Sequence, residues 1–292
     1  MPARPSPAER LRRVLAAPGL NVMPCCFDAL SAKLIAAAGY KPTFMSGFAV
    51  SAARLGLPDA GLISFGEMLD SLRSCCAAAG DVPVIGDGDT GYGNALNVQR
   101  TVAEYARAGA AAVMIEDQVS PKKCGHTQGK AVIGRDEAKL KIRAAVEARG
   151  AADILIMART DARGAAGFDE ALARCRDFVA EGADIVFLEA PESEDEMRAF
   201  CAAIARPCMA NMVFGGRTPV LPPQRLAALG FKIAAYPLVL LSAAVAAMQQ
   251  ALAALAPESN VAHPPEVAFA ELQKIVGFPD YWDRETRFKA AE

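Results

Sequence analysis

Five consecutive residues, Lys122-Lys123-Cys124-Gly125-His126, bring two cations, a thiol, a flexible position and one of the chain's two histidines together. Cations beside a thiol lower its pKa, so Cys124 reads as an acidified thiol, a ready proton donor or a partly ionised one. Gly125 lets such a segment bend. A solvated basic loop with an incidental cysteine is the competing reading. Upstream, Asp87-Gly88-Asp89 sets two carboxylates two positions apart. On an extended segment they share one face. They repel one another unless a proton or a cation lies between them, and oxygen donors suit Mg2+ or Mn2+. Glu116 falls where it could hold a metal-bound water. Asp59, just after Pro58, either reaches the same centre or closes an Asx turn. Ser46-Gly47-Phe48 offers a hydroxyl and backbone N–H groups to a carboxylate. Arg159 suits a bidentate grip on a carboxylate or charge developing on an oxygen, and equally a salt bridge to a neighbouring acid. Glu189 and Asn211 complete a polar ring.

Eight short apolar runs end in a polar ring of Asp28, Ser46-Gly47, Asp87 and Asp89, Glu116-Asp117, Arg159 and Asp161, Glu189, Asn211 and Tyr236, while Asp59 and Lys122–His126 fall in loops between them. The runs are Asn21–Asp28, Lys41–Gly47, Pro83–Asp89, Ala111–Asp117, Asp153–Thr160, Asp184–Pro191, Pro207–Val213 and Phe231–Leu238. Amphipathic helical patterns alternate with them, among them 29–38, 64–79, 96–108, 135–149, 169–180, 194–204, 223–229 and 240–255. Continuous apolar strands are expected where a parallel sheet is buried on both faces. Strand–helix units repeated in this way predict an α/β fold, a (β/α)8 TIM-type barrel, with its chemistry at the C-terminal strand ends. An open doubly wound sheet is the alternative, but the first strand ends Cys-Cys-Phe-Asp and carries no glycine-rich dinucleotide turn. Residues 1–292 read as a single barrel domain, with 256–292 an aromatic-rich helical extension. His263, within that extension, reads as a surface loop residue.

The totals exclude several classes. With 292 residues, 53% hydrophobic and 22% charged, the chain can bury a sizeable core. A net charge of −2 speaks against nucleic-acid or membrane-surface partners. No apolar run is long enough and uninterrupted enough to span a bilayer, and a cytoplasmic location is expected. The eight cysteines contain no Cys-x-x-Cys pair, which leaves little support for zinc.

Read together, the stretches Met45–Phe48, Leu55–Asp59, Gly86–Asn94, Ile115–Gln118, Lys122–His126, Ala158–Asp161, Leu188–Ala190, Ala210–Met212, Thr218-Pro219 and Tyr236–Leu238 resemble the isocitrate lyase / phosphoenolpyruvate mutase superfamily. The resemblance implies Mg2+ near Asp87 and Asp89, with Glu116 and Asp59 acting through water. It implies that Ser46, Gly47 and Phe48 hold a pyruvate- or glyoxylate-like half, with Gly125, Arg159, Glu189, Asn211 and Thr218 completing the substrate contacts. Cys124 would protonate the departing enolate, Lys122 and His126 would tune it, and Arg159 would stabilise the oxyanion. It further implies a last helix swapped between subunits, in a homotetramer built as a dimer of dimers. The loop argues against phosphonate chemistry. The tricarboxylate lyases of the group carry an arginine where this chain has Ser242 and a glutamate where it has Phe214. A missing cation leaves a third carboxylate poorly paired. The expected substrate is therefore a small 2-hydroxy or 2-oxo dicarboxylate, with carbon–carbon cleavage of a 2-alkylmalate-like acid. Oxaloacetate decarboxylation or hydrolysis, methylisocitrate cleavage and a barrel that binds metabolites without turnover are the alternatives. The hydrolases favour a hydroxyl where this chain has Pro237.

Overall fold

The fold is that of a computed structural model, which describes residues 4–126, 129–150, 152–256 and 266–289. Eight strands, β1 (Asn21–Cys26), β2 (Thr43–Met45), β3 (Val84–Asp87), β4 (Ala112–Glu116), β5 (Leu155–Thr160), β6 (Ile185–Leu188), β7 (Cys208–Asn211) and β8 (Ile233–Tyr236), close into a barrel in sequence order. Every neighbouring pair is parallel, and β8 returns to β1 with Asn21 opposite Ile233. Each strand lies inside the apolar run expected for it. The (β/α)8 architecture is therefore established.

The barrel core is built by alternation. Met23 and Cys25, Phe44, Ile85, Met114, Met157, Phe187, Met209 and Ala235 belong to one buried cluster, each on the inward parity of its strand. The outward residues pack under the helices in two further clusters. The helices begin and end where local chemistry dictates. Ser64 caps Phe65–Ala79 in a reciprocal capping box with Glu67, and Asn94 caps Ala95–Arg107 in the same way with Asn97.

Three elements differ from the sequence reading. The segment before β1 is a helix, Pro7–Ala16, capped by Ser6 and opened by proline; its Ala8 and Leu11 are fully buried and join the interior cluster. After β2, where no element was read from the sequence, a short helix, Gly47–Val50, runs into a π-helical turn, Ser51–Leu55. Asp28, expected among the polar strand ends, caps Ala29–Ala37, accepting from Ser31 N–H. Its carboxylate is occupied locally and is withdrawn from the candidate ring.

The chain divides into two compact units, Met1–Leu240 and Leu241–Glu292, so the division falls inside the helix Val239–Ala254. The second unit continues with the helices Phe269–Val276 and Phe278–Arg287. His263 lies outside the described residues. No helix among the described residues is long and apolar enough to cross a membrane.

Candidate active site

Strand alternation decides which side chains meet. Counting inward along β3 to β7, the apolar stripes end in Asp87, Glu116, Arg159, Glu189 and Asn211, each two residues beyond a core member. These five share the barrel axis. Asp117, beside Glu116, has the opposite parity and is a scaffold residue. It accepts from Thr160 Oγ1 at 2.6 Å, from Asp161 N–H at 2.9 Å and from Arg174 at 3.0 Å. Tyr236 is also outward and packs under the helices, so β8 contributes no phenol to the cavity.

The strand ends open into a cavity of about 70 Å3. One arc of its wall is charged, with Asp59, Asp87, Lys122, Arg159 and Glu189. The other is apolar, with Phe44, Met209, Val213, Ala235 and Leu238. Ser46 and Phe48 line it as well. Gly47 does not; its N–H donates to Asp87 Oδ2 at 2.9 Å, so it holds a carboxylate of the protein itself. A side chain there is excluded, because a Cβ would lie 2.6 Å from that oxygen. Thr218 is buried with no hydrogen-bond partner for its hydroxyl, and it does not line the cavity.

The acidic arc fits a divalent cation. Asp87 accepts the N–H groups of Gly47 and Asp89 and keeps its main-chain carbonyl on the Tyr105 hydroxyl at 2.7 Å. Burial first, then the charge of Asp89, raise its pKa to about 6. Glu116 is raised well above the carboxylate range by burial, against the pull of Arg159. Two buried acid oxygens here, Asp89 Oδ1 and Glu116 Oε1, accept no hydrogen bond, although Asp89 Oδ1 lies 2.9 Å from Lys122 Nζ. Crowded carboxylates with unused lone pairs and raised pKa values are what a hard cation relieves. Among the described residues no three acids, histidines or cysteines converge on one point. A cation here would therefore complete its shell with water or ligand oxygens, as Mg2+ usually does. Asp59 is held by Lys122, whose ammonium bridges Asp59 and Asp89. Its carboxylate lines the cavity beside Asp87 and is paired with that lysine.

On the same charged arc Arg159 is gripped by three acids. Its Nε lies 2.8 Å from Asp161 Oδ2 and 3.3 Å from Glu116 Oε2, and Nη2 lies 3.1 Å from Glu189 Oε2. Its guanidinium also lies over the Phe187 ring, 5.1 Å from the centroid. Glu189 is fully buried; burial pushes its pKa up, but Arg159, His126 and Lys130 outweigh it and hold it down at about 2. His126 Nδ1 accepts from Arg217 N–H at 3.2 Å, so the ring proton sits on Nε2 and faces Glu189 Oε1 at 3.1 Å. Asn211 Nδ2 reaches both Glu189 oxygens, at 3.3 and 3.2 Å.

The loop Lys122–His126 is docked onto this mouth. Gly125 sits so close that a Cβ would stand 2.5 Å from Arg159 Nη2 and 2.7 Å from Glu189 Oε2. Cys124 lines the cavity, but its thiol is not acidified. Burial raises its pKa, and Asp59 and Glu189 add to the rise, against the pull of the His126 backbone N–H and of Arg159. The expected acidification fails because the loop cations face elsewhere. Lys122 is spent on Asp59 and Asp89, and Lys123 Nζ donates to Gly129 O at 2.9 Å. The His126 ring is likewise spent on Glu189. The thiol therefore keeps its proton at neutral pH.

The sequence reading passed over three residues. Gln118 pins the loop root, donating to Lys123 O at 2.8 Å and accepting from Lys123 N–H at 2.9 Å. Lys130 is buried between the loop and Asp161. Cys25 ends the inward stripe of β1 and lines the cavity floor. Strand parity pointed to Cys25; no sequence signal gave the direction of Lys130.

The phosphoenolpyruvate phosphomutase family profile matches residues 11–256. The chain is 44% identical over 272 residues to 2,3-dimethylmalate lyase of Eubacterium barkeri, covering 92% of this chain and 94% of that one. An oxaloacetate acetylhydrolase structure superposes with a TM-score of 0.92 at 35% identity, covering 98% of this chain and 99% of the other. A 2,3-dimethylmalate lyase structure gives a TM-score of 0.92 at 34% identity, covering 98% and 96%. The chain belongs to the phosphoenolpyruvate mutase / isocitrate lyase superfamily.

Proposed function

We propose that this superfamily member is a carbon–carbon lyase that cleaves a 2-hydroxy dicarboxylate bearing small alkyl groups, of the 2-alkylmalate class, with a divalent metal. The observation that carries this reading is the two-sided cavity: a charged arc beneath a protonated thiol, faced by an apolar arc without a cation. A third carboxylate on that apolar side would be buried unpaired, at a cost of several kcal/mol. A methyl or ethyl group is instead favoured there, by roughly 0.8 kcal/mol per buried CH2.

Asp87 is the side chain suited to hold the metal directly, with Asp89 and Glu116 acting through water. When bound, the metal supplies Lewis acidity to the oxygen on the carbon that becomes the 2-oxo group. Ser46 and Phe48 hold the carboxylate of that half. As the C2–C3 bond breaks, the hydroxyl proton passes to the acidic arc, the C2–O bond becomes a carbonyl, and the electron pair moves onto the second carboxylate as an enolate. Arg159 stabilises that oxyanion, held in plane by Glu189 and Asp161. Cys124 delivers its proton to the enolate carbon, and a thiol kept protonated by burial suits that task. The docked loop excludes water from the reactive carbanion.

A second copy of the chain is the proposed partner. The helices of the second unit bury no residue, and Met248, Leu252, Phe269, Val276 and Trp282 are exposed on them. Such a surface supports a swapped-helix tetramer, which light scattering would test.

The test of activity is a panel of 2-hydroxy and 2-oxo diacids with Mg2+, followed by NMR. A 2-oxo acid plus a second carboxylic acid is the expected product pair. Pyruvate with CO2 would make the protein a decarboxylase, and oxalate with acetate a hydrolase. Preferential cleavage of a tricarboxylate would refute the argument from the apolar arc.

A further inference from the structure

We propose that Lys130 is a positioning residue of the site: it locks the cysteine loop onto the barrel and offsets the charge of Asp161 beside Arg159, so that the guanidinium keeps more of its charge for an oxyanion, a role that rests on the cleavage reading above. Its ammonium is buried, with the side chain 3% exposed, and it donates to two acceptors. One is the carbonyl of Gly125, the residue that follows Cys124. The other is Asp161 Oδ1 at 2.7 Å, on a side chain that is fully buried. Lys130 does not line the cavity, so it works through these two groups.

The charge count shows what the second bond does. Arg159 faces Asp161, Glu189 and Glu116. One guanidinium among three acids is over-neutralised and would attract a substrate oxygen weakly. Lys130 gives Asp161 a cation of its own, although Asp161 keeps both of its bonds to Arg159. The first bond fixes the Gly125–His126 peptide, one residue beyond Cys124, and so tethers the loop that carries the thiol. A buried ammonium is stable only while both acceptors are in place. Docking of the loop and the charge balance of Arg159 are thus set by the same atom.

The test uses the whole protein, as wild type, Lys130→Met and Lys130→Arg. Iodoacetamide labelling is followed for each cysteine by mass spectrometry, alongside steady-state kinetics. In Lys130→Met, Cys124 is expected to be alkylated at least about tenfold faster, because the loop opens locally. Cys76 and Cys201, half-buried elsewhere, keep their rates. The kcat falls by about a hundredfold with little change in KM, as for a misplaced catalytic group. Lys130→Arg, which keeps the charge, lies nearer wild type on both readouts. Unchanged labelling of Cys124 in Lys130→Met overturns the proposal, and so does faster labelling of all three cysteines alike. If Lys130→Met does not fold, Lys130→Met with Asp161→Asn removes both buried charges and carries the same labelling expectation. Absence of turnover by wild type on every diacid would refute the cleavage reading, while the labelling ratio would still decide the role of Lys130.

Discussion

Mg2+ binding is expected to depend on pH through Asp87, with a size and a sign that follow from its burial. The folded carboxyl titrates at about 6, above the usual aspartate range, raised by desolvation and by the neighbouring Asp89. A raised carboxylate destabilises the fold wherever it is ionised. The penalty is absent below the unfolded pKa and fully present above about 6, where it amounts to about 3 kcal/mol. A metal that binds the ionised form must first displace the proton. The apparent dissociation constant then scales as one plus the ratio of protonated to ionised Asp87. Between pH 5 and pH 8 that factor falls about tenfold, from about 11 to about 1, and most of the change lies below pH 6.5. Thermal melts at a series of Mg2+ concentrations measure it without any substrate. At about a hundred times the dissociation constant, the stabilisation is about 2.7 kcal/mol. Two results would refute the reasoning: a Mg2+ affinity that is flat from pH 5 to 7, or stabilisation that grows as the pH falls.

Four further outcomes follow from the same geometry. Cys124→Ala should lower kcat by about 10^2 to 10^4 with a small change in KM, read by steady-state kinetics on a cleaved diacid, and unaltered turnover would remove the thiol from the mechanism. Gly125→Ala should lift the loop, because its Cβ has no room against Arg159 and Glu189; faster trypsin cleavage near Lys122 and Lys123 should accompany the loss of activity, at nearly unchanged global stability. Arg174→Met strands the buried Asp117 and should cost about 3 to 5 kcal/mol in urea denaturation, with Arg174→Lys costing less. Glu189, held at about 2, below the usual glutamate range, contributes about 3 kcal/mol that is present above pH 4.5 and lost as the pH falls towards 2; the stability gap between wild type and Glu189→Gln should narrow over that window.

The inward ring of the barrel was legible before any coordinates because parity is a local property. Arg159 is two residues beyond Met157 and Glu189 two beyond Phe187, so an apolar stripe that ends in a charged residue points to the axis. The same rule, applied strictly, removes Asp117 and Tyr236. The helix Pro7–Ala16 also has a local signature, Ser6 and Pro7 followed by Glu9. What could not be read was the direction of long side chains. Lys122 and Lys123 are adjacent to Cys124 in sequence, yet each is long enough to turn to an acceptor that only the folded chain supplies. The thiol pKa then follows burial and not sequence neighbours, which reverses the sign of the expected shift. The pairing of Asp59 was hidden for the same reason, since its partner Lys122 is distant in sequence.

That reversal gives the loop a different role from the one its composition suggests. Asp59, Asp87, Asp89, Glu116, Asp161 and Glu189 crowd the mouth, and among the described cavity-lining residues the strands supply a single cation, Arg159. Lys122 and Lys130 carry two positive charges to this acid cluster, one to each side. A divalent ion beside Asp87 would add two more. Lys122, Lys130, Arg159 and a divalent ion together bring five positive charges to these six acids, among which burial raises the pKa of Glu116 and so lightens the negative load. Neither the loop nor the metal alone supplies that charge, and a dianionic substrate is repelled until most of it is in place. The loop lysines are therefore better understood as counter-charges that make closure over a metal-held diacid favourable than as activators of the thiol between them.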